Sequence, residues 1–436
     1  LASGASQSGF GRSGSVNWQT GSIKTGTFTA ANGEGYFANT SSGGFTMNLP
    51  AGTAGHIVAV ADYTRTFGSN SLIISANGSE KIGGVAEDAE LSTDGQSATF
   101  VYVDATEGWI NVQETETSVT GLPPYIAASG GNTTLTSGDY KTHIFTGPGT
   151  FTVTAAGAPA GSNGVEYMVV GGGGGGGAGC AGGGAGAGGM RVRSVCSPTT
   201  PLNAPAPIQV TVQAYPITVG GGGAGNTSPN SGASSVKGTN GDSSTFSTIT
   251  SAGGGGGAAG SASSPDGNVG SSGGSGGGGG HSGGAGGSGN TPPVSPNQGF
   301  PGGASAPSGD DKSGGGGGAG ALSNPSPSPT APGGSEGGAG SYIPTTFLGP
   351  TAPSYGETGP QGRFFAGGAG GSRRSSPATP EGPGGLGGGA DGVVNASGNN
   401  GTTNMGGGGS GGAKQASSNS GGNGGSGVVM IRYKFQ

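Results

Sequence analysis

Runs of consecutive glycine are the feature that most limits how this chain can fold. Of the 112 glycines, 27 lie in residues 1–164 and the other 85 in residues 165–436. Glycine disfavours a helix by about 1 kcal/mol per position relative to alanine. The runs also lack the every-third-residue spacing of collagen. The sequence therefore excludes a helical bundle, a coiled coil and a doubly wound α/β enzyme, and it predicts an all-β protein with essentially no α-helix.

Residues 16–117 have the pattern of a small β domain, preceded by an N-terminal arm (1–15) and followed by a linker (118–131). Apolar and polar residues alternate with a period of two, which indicates half-buried strands. Strands are predicted at 26–30, 35–39, 43–49, 56–62, 71–75, 98–103 and 109–113. About seven closely spaced strands favour a small antiparallel sandwich or barrel. The expected core is Phe28, Tyr36, Phe45, Leu49, Ile57, Val58, Ile73, Phe100, Tyr102, Trp109 and Ile110.

Residues 132–436 are predicted to form a second, glycine-rich domain framed by β-strands. Strand-like segments lead into glycine runs at 165–170, 208–212, 217–219 and 246–250, and a last one closes the chain at 428–433. Further strands are expected at 141–146 and 149–155. Gly/Ser tracts are usually flexible linkers, which is one interpretation of the runs.

The other interpretation is a bundle of polyglycine II helices. This conformation has three residues per turn, a rise of about 3.1 Å and no internal hydrogen bonds, so its backbone groups point outward in three directions. Without side chains, neighbouring helices can pair through these groups. The runs are similar in length, and small Ala and Ser residues interrupt them. These features favour an ordered glycine-rich sandwich.

The composition contains little that predicts chemistry. The net charge is −6 with 15 Lys and Arg, which provides no basic surface for nucleic acid. A G-x-S-x-G match at 273–277 is expected by chance in such a glycine-rich segment, and no helix supports a nucleophile elbow there. No catalytic residue, metal site or cofactor is predicted, and the protein is not expected to be an enzyme. Cys180 and Cys196 could form one disulfide or remain buried thiols.

Several blocks of sequence resemble the glycine-rich domain of bacteriophage tail-fibre proteins, which are frequent in aquatic phages, including those of cyanobacteria. The blocks are, in order, VEYMVVGGGGGGGAGCAGGGAGAGGMR, PIQVTVQAYPITVGGGGAGN, STFSTITSAGGGGG, NTPPVSPNQG and GGNGGSGVVMIRYKFQ. The upstream segments GDYKTHIFTGPGTFTVTAAG and GEGYFANTSSGGFTMNLPAGTAGHIVAVADY are also similar to modules of such fibres. The resemblance implies a polyglycine II sandwich whose connecting loops form a receptor-binding tip.

Aromatic and basic residues concentrate in one stretch between glycine runs. The receptor-binding candidates there are Tyr342, Phe347, Tyr355, Arg363, Arg373 and Arg374. Aromatic faces suit sugars or exposed protein loops. The alternative is that Phe347, Phe364 and Phe365 plug the side of the bundle or an oligomer interface.

The leading hypothesis is a structural fibre protein of a phage virion, hence extracellular, that recognises a bacterial surface glycan or outer-membrane protein. The expected partners also include other fibre proteins and further copies of the chain, as a trimer or a filament, but no nucleic acid. The alternative is a structural subunit of an extracellular filament assembled by β-module contacts. A fibre enzyme that degrades capsule is disfavoured, because no long carboxylate-bearing β-helix is evident.

Overall fold

The structure, a computed structural model, describes residues 16–115, 125–157, 162–228, 236–260, 268–281, 283–307, 312–321, 335–349, 355–374, 381–413 and 419–436. The chain divides into two compact units, residues 1–122 and 123–436. The predicted arm, 1–15, lies outside the described residues, as does much of the predicted linker. Each unit is nearly all β, as predicted.

The strands of the first unit lie in two sheets. They are β1 (Asn17–Trp18), β2 (Phe28–Thr29), β3 (Glu34–Ala38), β4 (Phe45–Asn48), β5 (Ile57–Asp62), β6 (Leu72–Ser75), β7 (Ala89–Leu91), β8 (Ser97–Asp104) and β9 (Gly108–Thr115). One sheet has the order β1-β3-β5-β8-β9 and the other β2-β4-β6-β7. All seven predicted strands are present, and β1 and β7 are additional.

The prediction of antiparallel sheets is wrong for the first six strands. β1, β3 and β5 pair in parallel, and so do β2, β4 and β6. The chain therefore winds as a coil that visits both sheets in each turn, and the antiparallel pairs are β5 with β8, β8 with β9 and β6 with β7. Alternation of side chains defines the buried face of a strand, but it does not define the direction of the neighbouring strand.

The core of the first unit lies between its two sheets and includes Tyr36, Val58, Phe100 and Trp109. Ile73 was predicted to be part of it, but it is only half-buried, whereas the flanking Leu72 and Ile74 are fully buried. In β6 the apolar run is continuous, so the sequence pattern does not reveal which residues face inward.

The second unit is built on a sandwich of two larger sheets. Its strands are β10 (Ile126–Ser129), β11 (Thr133–Ser137), β12 (Tyr140–Phe145), β13 (Gly149–Ala156), β14 (Gly164–Val170), β15 (Met190–Arg193), β16 (Ile208–Gln209), β17 (Ala214–Thr218), β18 (Thr227–Ser228), β19 (Ser244–Phe246), β20 (Ile249–Ser251), β21 (Ser341–Ile343), β22 (Glu357–Gly359), β23 (Gly362–Phe365), β24 (Asn419–Ser420) and β25 (Val428–Lys434). One sheet has the order β10-β13-β17-β19-β20, and the other has β11-β12-β25-β14-β15 with β16 beside β14.

Two corrections to the predicted boundaries follow. β10 lies inside the predicted linker, 118–131, but pairs with β13, so the second unit begins before residue 132. The predicted strand at 246–250 is a tight hairpin of β19 and β20, with Ser247 at a φ of 51° between them.

Two apolar clusters lie on opposite faces of the sheet that contains β14 and β25. One cluster, which includes Phe151, Tyr167 and Phe246, fills the sandwich. The other packs this sheet against the short sheet β21-β23-β22, the ends of several glycine runs and α1 (Thr345–Leu348). This four-residue helix is the only α-helix in the described part of the chain.

The glycine runs form a bundle of polyglycine II helices, and the run 171–178 shows the geometry most fully. Its N–H groups at 171, 174 and 177 donate to carbonyls of the run 182–189. Those at 172, 175 and 178 donate to 236–242, and those at 173 and 176 donate to 421–427. The N···O distances are 2.8 to 3.3 Å. The bonding therefore repeats every three residues, as the threefold symmetry of this helix requires.

The same run accepts hydrogen bonds from three further segments. Its carbonyls receive N–H groups of 252–260, 220–226 and 406–412. The helix 171–178 is thus surrounded by six neighbours, three that accept from it and three that donate to it. The flexible-linker interpretation is wrong for this segment, because every N–H in it has a backbone partner.

Candidate functional site

The structure divides the six receptor-binding candidates between two regions of the second unit. Tyr342, Phe347, Tyr355 and Arg363 lie on or beside the small sheet β21-β23-β22, next to the large sheets. Arg373 lies eight residues beyond the end of β23, across the run 366–372. At about 3.1 Å per residue this separation is roughly 25 Å. The predicted residues therefore do not converge on one site.

The small sheet holds its aromatic and basic residues in specific contacts. The Tyr342 hydroxyl donates to the Thr199 carbonyl at 2.9 Å, and its ring centroid is 5.5 Å from that of Phe364. Arg363 Nε donates to the Tyr355 carbonyl at 2.7 Å. Tyr342, Tyr355 and Arg363 are all half-buried. Each leaves part of its side chain accessible, but the bond from Tyr342 to Thr199 also joins the small sheet to the rest of the unit.

Phe347 is wrong as a receptor contact. Its side chain is 1% exposed, because α1 inserts Phe347 and Leu348 into the apolar cluster against β14 and β25. Phe364 and Phe365 are buried as well. Their burial corresponds to the alternative in which these rings pack the side of the bundle.

Arg373 is also wrong as an exposed residue. It is 9% exposed and is hydrogen-bonded through its backbone on both sides: its N–H donates to the Val393 carbonyl, and its carbonyl accepts from the Asn395 N–H. Arg374, the next residue, is half-buried. A basic dipeptide at the end of a glycine run suggests exposure, but here the neighbouring segments cover the first residue.

Arg373 belongs to the end of the bundle that is remote from the two large sheets, which we call the far end. The turn after the run 171–178 is also there, and the side chain of Asn419 closes it by accepting from the Gly179 N–H (3.1 Å) and donating to the Gly179 carbonyl (2.8 Å). The His281 N–H donates to the Ala181 carbonyl at the same level. Several glycine runs therefore begin or end at the far end.

No disulfide joins Cys180 and Cys196, so the predicted alternative of a disulfide is wrong. Cys180 is buried at the far end, where its N–H donates to the Gly260 carbonyl. Cys196 is half-buried and follows β15, against the apolar cluster near the large sheets. The run 182–189 separates the two residues by its full length, which keeps the thiols apart.

A buried ion pair on the sheet that contains β14 and β25 was missed by the sequence analysis. Glu166 on β14 and Arg432 on β25 are paired in register, and Arg432 Nη1 lies 2.7 Å from Glu166 Oε1. Both side chains are more than nine-tenths buried. A single acid in VEYMVV and a single base in VVMIRY, each inside an otherwise apolar strand, was the signal that could have revealed the pair.

His143 is a buried histidine on β12 whose pKa the fold lowers. Burial lowers its pKa, although a hydrogen bond to the Gly130 carbonyl, 2.6 Å from Nδ1, opposes that effect. Its Nε2 lies 3.0 Å from the Tyr433 hydroxyl. The imidazole is therefore held neutral as part of the core, as expected of an ordinary structural histidine.

Among the described residues, no group of three or more His, Cys, Asp or Glu side chains is arranged to hold a metal ion. The same residues contain no helix that is long and apolar enough to cross a membrane.

Comparison with curated proteins finds no match to the chain. A family model described as a glycine-rich domain matches residues 146–434, which is more than half of the chain and includes the whole polyglycine bundle. Together with the observed backbone pairing of the runs, this match shows that the chain belongs to the glycine-rich domain family.

Proposed function

We propose that the chain is a structural fibre protein of a phage virion that recognises a bacterial surface receptor through loops between its polyglycine helices. The observation that carries the proposal is the far end of the bundle. Several glycine runs begin or end there, and each is fixed by backbone hydrogen bonds to its neighbours. A rigid support allows the segments that connect its helices to vary without loss of the scaffold.

The packing of the runs supports a mechanical role. In the interior of the bundle, donors and acceptors are satisfied in three directions around each helix, so the scaffold resists bending without a large apolar core. This property suits a fibre tip that must hold its loops in a constant arrangement. The ordered resemblance of the sequence to tail-fibre modules also supports a fibre protein. Under this proposal the chain is located in the virion, and its partners are other fibre proteins or further copies of the chain.

Exposed valines at the two ends of the second unit provide a matched test. Val236 and Val269 are 45% and 39% exposed at the far end, whereas Val212 is 64% exposed beside the large sheets. Binding of the labelled chain to a panel of aquatic bacterial strains is measured by cell sedimentation. Val236→Arg and Val269→Arg are expected to reduce binding at least tenfold, and Val212→Arg to leave it unchanged. Equal effects of all three changes, or no strain bound, would contradict the proposal.

Electron microscopy distinguishes the fibre from the filament alternative. Discrete particles or short fibres of the purified chain are expected for the fibre protein. Indefinitely long threads would instead support a subunit that polymerises through its β modules.

A further inference from the structure

A cleft of about 260 Å³ opens beside the sheet that contains β14 and β25, where these two strands diverge. The two strands pair as far as Glu166 and Arg432. Beyond this point Gly164 on β14 pairs with Gln209 on β16, and Lys434 on β25 keeps its pairing with Tyr140 on β12 but has no partner on β14. The separation of two strands that are neighbours elsewhere creates the cleft, and Glu166 is one of the residues that line it.

The carboxylate of Glu166 has hydrogen-bonding capacity left for a ligand. Its Oε1 accepts from Arg432, and its Oε2 accepts from the Val195 N–H at 3.1 Å. Each carboxylate oxygen can accept about two hydrogen bonds, so roughly half of the capacity is used by the protein. A hydroxyl group that donates to this carboxylate would form a charge-assisted hydrogen bond, which is stronger than one between neutral groups.

The walls of the cleft are fixed. The Arg432 guanidinium stacks on the Tyr140 ring, with 3.6 Å between its carbon and the ring centroid, which holds the ring in place. On the opposite wall, a Cβ at position 164 would lie 3.0 Å from Pro207 and 3.2 Å from Nε2 of Gln209. Because residue 164 is glycine, Pro207 and the Gln209 amide can lie close over its backbone.

The charges in the cleft balance. Glu166 is neutralised by Arg432, and Lys434 Nζ lies 3.7 Å from Asp139 Oδ2. The volume is below the roughly 300–1,000 Å³ of sites that take drug-sized ligands. A carboxylate, a primary amide and an aromatic ring around a small space with no net charge are suited to a compact, neutral ligand with many hydroxyl groups.

We propose that this cleft binds a single neutral sugar unit, with Glu166 accepting from its hydroxyl groups and Gln209 donating to and accepting from them. The site lies by the large sheets and not at the far end. It is therefore a second recognition site beyond the loop surface proposed above, and the two can be tested separately.

The test uses the full chain and saturation-transfer NMR with methyl glycosides of glucose, galactose, mannose and N-acetylglucosamine, and with N-acetylneuraminic acid as an anionic comparison. At least one neutral glycoside is expected to receive saturation. Gln209→Ala should weaken its binding about three- to tenfold, the effect of one lost hydrogen bond. Gly164→Ala should weaken it as well, because the new methyl group displaces the Gln209 amide. Gln213→Ala is the matched control, since Gln213 is exposed and lies outside the cleft.

The proposal is overturned by any of three results: no saturation of any neutral glycoside, binding of the anionic sugar alone, or binding that is the same in both cleft variants as in the parent protein. The far-end variants Val236→Arg and Val269→Arg should leave the glycoside signal unchanged. If these two variants lose cell binding but keep the glycoside signal, the loss bears on the fibre proposal alone and not on the cleft.

Discussion

Gly316 faces the carbonyl oxygen of Ala185 so closely that a Cβ built on Gly316 would lie 1.8 Å from that oxygen. Two backbones from distant parts of the sequence are in direct contact, and no side chain fits between them. Similar contacts recur along the glycine runs. In this bundle glycine is thus required for close approach and not only for flexibility.

Gly316→Val is therefore expected to destabilise the second unit severely. The side chain forces two hydrogen-bonded backbones apart, and overpacking in a dense interior costs about 1–3 kcal/mol or more. Differential scanning calorimetry should show a loss of at least several degrees in Tm, since 1 kcal/mol shifts a domain of this size by about 2–4 °C. Gly147→Ala is the control, because a Cβ at Gly147 would meet no atom within 4 Å. An unchanged Tm for Gly316→Val would mean that the run is not packed.

Amide hydrogen exchange should be slow throughout the run 171–178. Each N–H in it donates to a backbone carbonyl of a neighbouring helix, so exchange requires opening of the bundle and not local fraying. Mass spectrometry of peptides that cover this run should show protection similar to that of β14. Complete deuterium uptake within seconds would contradict the bundle.

Glu166→Gln should destabilise the second unit by about 3–5 kcal/mol, because it leaves the buried Arg432 guanidinium without its counter-charge. Replacing both residues, as in Glu166→Gln with Arg432→Met, should recover much of the loss, since no unpaired charge remains. Urea unfolding of the two single variants and the double variant measures the coupling. Additive losses in the double variant would show that the pair does not act as a unit.

The stability of the second unit should decrease below about pH 6.5 because of His143. Burial lowers its folded pKa below the unfolded value of 6.5, so the unfolded chain takes up a proton more readily. The contribution is fully present above the unfolded pKa and is lost as the pH falls from there toward the folded pKa. The Tm difference between pH 7.5 and pH 5.5 should be smaller in His143→Gln. An equal difference in the variant would assign the pH dependence to other groups.

Both cysteines should be alkylated by iodoacetamide after denaturation without a reducing agent, because neither is in a disulfide. Under native conditions the half-buried Cys196 is expected to react before the buried Cys180. Intact-mass spectrometry counts the added groups. A denatured protein that takes up no iodoacetamide until it is reduced would show a disulfide instead.

Much of the fold could be predicted because it depends on local patterns. The alternation in segments such as Ser97–Asp104 defines strands, and the length and purity of the runs favour polyglycine II helices. The parallel pairing of β3 with β5 could not be predicted, since it depends on how the chain returns between the sheets. The pairing of runs is equally hidden, because glycine has no side chain to specify a neighbour.

The candidate site was predicted less well than the fold. Phe347 and Arg373 were selected because aromatic and basic residues concentrate in their stretch of sequence. Such a concentration does not distinguish a residue that faces solvent from one that a neighbouring segment covers. The cleft at Glu166 depends on where β14 and β25 separate, which is a property of the whole sheet. Only the isolated charges within two apolar strands pointed to it.

The three-residue repeat of hydrogen bonding limits how these runs can change length during evolution. Adding or removing three residues keeps each later amide directed at the same neighbour, whereas a change of one or two residues rotates it toward a different helix. Insertions in glycine runs of related chains should therefore come in multiples of three residues, whereas the connectors between runs can change by any number of residues.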